Sequence, residues 1–203
     1  MIRVLISFFF LASMTTGCMS ARRTRSELPA EWAQALQTPV VEMAAFSGVY
    51  SEIGEEATEG PLGRDYLNSS FLHPRFFPEL RLSVPEARNK TIEITVVSAD
   101  RLTVALLEEA EVLATGEFEG SFDQSTGGLT LNTYGSRSVK DYGASVSRNA
   151  VQLFKGSDGY LYVRRTSQTI GVILVVPLAG VRETWSRFSS TPESELEPEA
   201  EGR

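Results

Sequence analysis

Proton transfer, nucleophilic attack and metal chemistry draw on histidine, cysteine and clustered carboxylates, and this chain of 203 residues carries one His and one Cys. His73 precedes Pro74 in the stretch Phe71-Leu-His-Pro-Arg-Phe-Phe-Pro78. A general base needs a positioned hydroxyl or thiol and an orienting carboxylate. The sequence points to no Ser or Asp converging on His73, so a turn or packing role is expected. Glu108, Glu109 and Glu111 lie close together, as do Glu55, Glu56 and Glu59. Neither set has the Asp/Asn/Gly spacing of a calcium loop, and both read as solvated acidic turns. One Cys and one His leave no material for a zinc site or a disulfide framework. There is no Gly-rich phosphate fingerprint, nucleophile elbow or Cys-x-x-Cys. No catalytic residue, metal or cofactor is therefore expected.

Two aromatic groupings remain as candidate binding determinants. Phe71, Phe76 and Phe77, bracketed by Pro74 and Pro78, either form an apolar contact patch for a partner or ligand or cap the core of the main domain. Tyr160, Tyr162 and Arg164 alternate with Leu161, Val163 and Arg165, so their face either lines a surface groove or is an ordinary solvated sheet face.

The first residues carry an address. Met1-Ile-Arg is followed by an apolar run from Val4 to Leu11 and a small-residue end, the pattern of a signal peptide over residues 1–17. That run is about half of the ~20 residues that span a bilayer. Cys18, directly after Gly17, resembles the modified cysteine of bacterial lipoproteins. The resemblance implies a diacylglyceryl group on the thiol, removal of the preceding segment, and an acyl chain such as palmitate on the new amino terminus. Met19, where an Asp would signal inner-membrane retention, implies the outer membrane, facing the periplasm. Arg22, Arg23 and Arg25 fall within residues 18–27, an anchor and basic tether that anionic headgroups would attract by up to ~1 kcal/mol per charge.

Residues 28–45 read as a short helix and linker. Pro29 suits a helix start, and Leu28, Trp32 and Leu36 share one face, which predicts docking of Trp32 on the main body because so short a helix is unstable alone. From 46 to 188 the chain reads as mainly β, an antiparallel meander of seven to nine strands forming a small barrel or sandwich. Ile92, Ile94 and Val96 alternate on one strand and Leu102, Val104 and Leu106 on the next, a hairpin turning at Ser98–Arg101. Val112, Ala114, Gly116, Phe118 and Gly120 share one face of a third. Leu129 to Tyr134 follows a glycine-containing loop, and Gly-Ser-Asp-Gly159 turns a second hairpin between 151–155 and 160–165. The run Ile170 to Val176 predicts a strand buried on both faces. Arg182 to Phe188 predicts an edge strand with Trp185 inward, and 54–78 a long loop carrying one short helix near Asp65 to Leu72. Residues 189–203 hold five Glu and one Arg with no aromatic, an expected disordered acidic tail.

Phe46-Ser-Gly-Val-Tyr50, the late Asp158-Gly159 hairpin and Trp185-Ser-Arg-Phe188 together resemble small proteobacterial envelope lipoproteins, a likeness that brings no activity with it. Gly48 and Tyr50 resemble the glycine-aromatic opening of lipocalins, with Arg182 or Arg187 as the basic partner. The formal net charge of −7 supplies no basic field for nucleic acid. The leading expectation is a non-enzymatic lipid-anchored lipoprotein, attached to membrane through its N-terminal lipid, whose β domain binds an envelope protein or supports an assembly. The alternatives are a calycin-like or pilotin-like carrier holding an apolar ligand between the Ile92 and Leu102 faces, and an envelope hydrolase.

Overall fold

The computed structural model describes residues 20–25, 27–60, 63–71, 90–131, 136–140, 143–173 and 176–190. In chain order these form β1 (Ser20–Arg25), α1 (Ala30–Ala35), a single 3-10 turn (Met43–Phe46), β2 (Gly48–Ser51), β3 (Ile53–Gly60), β4 (Gly63–Ser70) and β5 (Lys90–Ser98). They continue with β6 (Arg101–Glu108), β7 (Glu111–Asp123), β8 (Gly128–Leu131), β9 (Ser136–Lys140), β10 (Gly143–Lys155), β11 (Leu161–Ile173) and β12 (Val176–Phe188).

Nine of the strands make a nearly closed, antiparallel, barrel-like sheet in the order β2-β5-β6-β7-β8-β10-β11-β12-β3. Because only Glu52 separates β2 from β3, the two ends of that row belong to one stretch of chain, which brings the sheet round on itself. The Ser51 N–H donates to the Ser189 carbonyl at 2.9 Å and Tyr50 bridges Ser190, so the seam is hydrogen-bonded. β4 is a hairpin partner outside this ring, β9 pairs β10, and β1 runs parallel to β12.

Period-2 alternation decides which side chains fill the ring. Ile92 and Ile94, Leu102, Val104 and Leu106, Phe118, Leu129 and Leu131, Val151 and Leu153, Leu161 and Val163, and Phe188 point inward into one cluster, closed at one end by Met43 and Phe46. Tyr50 is buried with them; its hydroxyl donates to the Phe46 carbonyl at 3.0 Å and accepts from Lys155 Nζ at 3.2 Å. The cation over the Tyr50 ring is therefore Lys155, 4.5 Å from its centroid, and not Arg182 or Arg187. Small residues mark close approaches. A Cβ at Gly54 would run into the Arg187 carbonyl oxygen and the Phe188 ring, where β3 crosses the end of β12.

A second apolar cluster lies outside the ring. Trp32 and Ala35 of α1, with Leu28 and Leu36 beside them, pack on Tyr162, Trp185 and Ala57. Trp32 meets Tyr162 edge-on at 5.7 Å, and the Ala35 carbonyl accepts from the Ser157 backbone at 3.0 Å. The expected docking of Trp32 on the body is thus realised, as is the hairpin β5/β6.

Four sequence expectations are corrected. Residues 53–70 are the β3/β4 hairpin, paired from Ile53↔Ser70 to Gly60↔Gly63, where a loop with one helix was expected. Glu55, Glu56 and Glu59 consequently lie in a strand, and Glu55 accepts from Arg187 Nε at 2.9 Å. Trp185 faces out beneath α1, and β12 has neighbours on both sides, because β3 and β1 share the edge that sequence left open. Ile170 is 71% exposed, so the run that begins there is not buried on both faces.

Candidate functional site

That last difference defines the most unusual surface of the molecule. β10, β11 and β12 are each 13 residues long, while their pairing with β8 covers only Val151 to Phe154 and with β3 only Trp185 to Arg187. The remaining lengths of the three strands, 143–150, 166–173 and 176–183, leave the ring as a twisted tongue. It is widened by β9 on one edge and β1 on the other. Among the described residues no second layer covers the outer face of these strands.

Register assigns the faces. Val139, Ala144, Val172 and Pro177 stand side by side across four strands, and two residues along, Arg137, Val146, Ile170 and Ala179 form the next row. Val181 continues the same face one row further. Val139 is 69%, Val146 51%, Ile170 71% and Val172 45% exposed, and Val181 is exposed with them. The opposite face carries Ser145, Ser147, Thr169 and Gly171, with Ser147 and Thr169 hydroxyls 2.9 Å apart. The tongue is therefore amphipathic in reverse of a core strand. Its inner face, where Leu178 stands opposite Gly171 beside these small residues, continues the barrel interior, and its aliphatic face continues the barrel exterior.

A polar band separates this aliphatic face from the α1 cluster on the same outer wall. Arg164 Nε donates to Glu183 Oε1 at 3.0 Å and its Nη1 to Gln152 Oε1 at 3.3 Å. On the inner side, buried Arg165 closes the barrel core where the tongue departs. Its guanidinium donates to Ser186 Oγ at 3.0 Å and to the Phe71 carbonyl at 3.2 Å. Burial pushes Arg165 down to about 10, while the Glu56 and Glu52 carboxylates pull the other way. This cluster anchors the core and presents no open chemistry.

The sequence-derived candidates are distributed differently from expectation. Phe71 is buried and meets Phe188 edge-on at 5.3 Å, so it is core and not a contact patch. Tyr162 is buried under Trp32, with its hydroxyl donating to Asp158 at 2.6 Å; desolvation, then that hydrogen bond, pushes its pKa up. Tyr160 is half-buried beside it, its ring under the Arg187 guanidinium at 5.0 Å. Both tyrosines do face outward, but α1 and Arg187 occupy the groove they were expected to line. Arg22, Arg23 and Arg25 fall on β1, in register with Gly180, Val181 and Glu183. Cys18, His73, Phe76, Phe77 and the acidic tail from 191 lie outside the described residues. Among the described residues no group of three or more His, Cys, Asp or Glu is placed to hold a metal, and no helix is long and apolar enough to cross a membrane.

Sequence reading missed the tongue, although a signal was present. Ser145-Val146-Ser147 and Thr169-Ile170-Gly171-Val172 alternate small polar with aliphatic residues, which a strand buried on both faces would not do. Fold and surface together define a packed, barrel-like β domain with a projecting aliphatic sheet. Compared with family models, curated proteins and solved structures, the chain has no match in any of the three.

Proposed function

We propose that this chain is a non-enzymatic lipoprotein of the cell envelope, held at the outer membrane by a lipid on Cys18, whose β domain works by binding through its outer surface. The observation that carries the reading is the aliphatic face of the tongue. Monomeric proteins rarely leave a contiguous apolar patch of this kind uncovered unless something binds there. Exposed Ile170, Val146 and Val139 sit on three neighbouring strands.

The low exposure of the inward side chains supports surface binding over internal cargo. A cavity large enough for an apolar ligand, at least ~300 Å³, would leave its wall atoms accessible from within. Ile92, Ile94, Leu102, Val104 and Leu106, the faces a carrier would use, have 0–1% of their surface accessible. They touch one another instead.

The test is mass spectrometry of the native amino terminus combined with membrane fractionation of wild type and Cys18→Ser. The expected result is a chain beginning at a triacylated Cys18, sedimenting with outer membrane, and a Cys18→Ser protein released from it. A mature chain that starts elsewhere and bears no acyl group overturns the proposal.

A further inference from the structure

We propose that the tongue is a membrane-docking element: its aliphatic outer face seats in the headgroup and upper acyl region of the same anionic bilayer that holds the lipid anchor. This commits the surface described above to one occupant, lipid, and it rests on the reading of Cys18 for where the anchor sits.

Three observations converge on it. The first is position. β1 is parallel to β12 with Ser20 opposite Leu178, two residues from the start of β12 at the tongue tip. Cys18 precedes Ser20 by two residues, so its Cα lies no farther than about 7 Å from that of Ser20. An acyl chain on that thiol is therefore tethered within that reach of Ser20, whose strand partner Leu178 lies near the start of β12.

The second is chemistry. The aliphatic face contains Val, Ile, Ala and Pro with no acid among its rows, and Arg148 is exposed on it next to Val146. Aliphatic side chains flanked by cations are what a headgroup boundary accepts.

The third is charge distribution. The tongue strands and the loop between β9 and β10 hold the three arginines of β1, Arg137, Lys140 and Arg148 against Asp141 and Glu183, while Arg182 is paired with Glu56 of β3. Residues 90–123, which form β5 to β7, hold eight acids and two bases. In the ring β6 stands four strands from β11, on the far wall. A chain of net charge −7 thus presents a basic tongue and an acidic back, and an anionic surface orients it tongue first.

The experiment separates the tongue from the anchor. The chain from Cys18 onward, which holds every described element, is prepared with Cys18→Ser and mixed with two vesicle types: phosphatidylethanolamine containing phosphatidylglycerol, and phosphatidylcholine alone. Co-sedimentation with the anionic vesicles is expected. It should fall as salt rises from about 0.1 M to about 1 M, where the screening length shrinks from about 10 Å to about 3 Å. Ile170→Thr/Val172→Thr keeps β-branched side chains on an exposed face, so the fold should hold. Its partition into anionic vesicles should drop about tenfold or more. As a gain-of-signal control that does not depend on lost binding, Ile170→Trp should shift its emission to the blue on adding anionic vesicles.

Absence of vesicle binding and of that blue shift overturns the inference. So does dimerisation of the unlipidated chain that Ile170→Thr/Val172→Thr abolishes, since a second copy would then own the face. The lipidation reading fails separately. An unmodified native Cys18 together with intact vesicle binding retains the tongue as a peripheral membrane contact, whereas an acylated Cys18 with an inert tongue refutes this inference alone.

Discussion

Replacing Trp32 by Ala tests how the outer wall of the barrel is held. Trp32 is fully buried in a six-residue helix, packed edge-on against Tyr162 and lying under the Arg187 guanidinium at 5.1 Å. A helix of that length does not form alone in water, so α1 exists because this side chain docks. Truncating a buried aromatic to Ala costs about 3 to 5 kcal/mol, a large part of the 5 to 15 kcal/mol that holds a typical domain together. The loss extends beyond one side chain, because undocked α1 also gives up the Ala35 contacts and uncovers Tyr162 and Trp185. The prediction is a fall of about 3 kcal/mol or more in urea unfolding. The chain has two tryptophans, so fluorescence of the variant reports Trp185 alone. Its emission should move to the red as the helix leaves, since Trp185 is 8% exposed in the intact protein. A loss under about 1 kcal/mol with unchanged Trp185 emission would refute the claim that Trp32 carries the helix.

Gly54→Ala should destabilise strongly for a different reason, because the added methyl meets the backbone oxygen of Arg187 and the Phe188 ring at a strand crossing. An overpacked site of this kind costs about 1 to 3 kcal/mol, and an unchanged melting temperature would show that β3 can move aside. Burial pushes the Tyr50 phenol up to about 12, so the folded state favours its neutral form. Its contribution to stability is therefore complete below the ordinary tyrosine value near 10 and is lost as pH rises from there through about 12. Urea midpoints of wild type and Tyr50→Phe between those limits should converge on raising the pH; parallel curves would exclude Tyr50 as the titrating group.

Much of the scaffold was readable from local pattern. Ile92, Ile94 and Val96 against Leu102, Val104 and Leu106 specify a hairpin whichever neighbours it later finds, because alternation with a turn between is enough to pair two adjacent strands. Leu28, Trp32 and Leu36 likewise announce a docked helix from their spacing, and Gly156 to Gly159 announce the turn between β10 and β11. The β3/β4 hairpin escaped notice because Glu55-Glu56-Ala-Thr-Glu59 and Arg64-Asp-Tyr66 carry charges that look like loop. In the folded chain those charges are matched across strands, Glu55 with Arg187 and Glu56 with Arg182.

What the chain determines by itself is composition along each strand: which residues alternate, where it must turn, and that one cysteine follows one signal-like run. Which face meets a neighbour was decided only in three dimensions. Leu161 and Val163 are buried while Ile170 and Val172, equally apolar and on the same strand, are exposed. The period of two places them on opposite faces, and the partners that cover a face come from segments distant in sequence. Among the described residues those partners end where β8 and β3 end, so the same strands that build a core at one end carry exposed aliphatic side chains at the other.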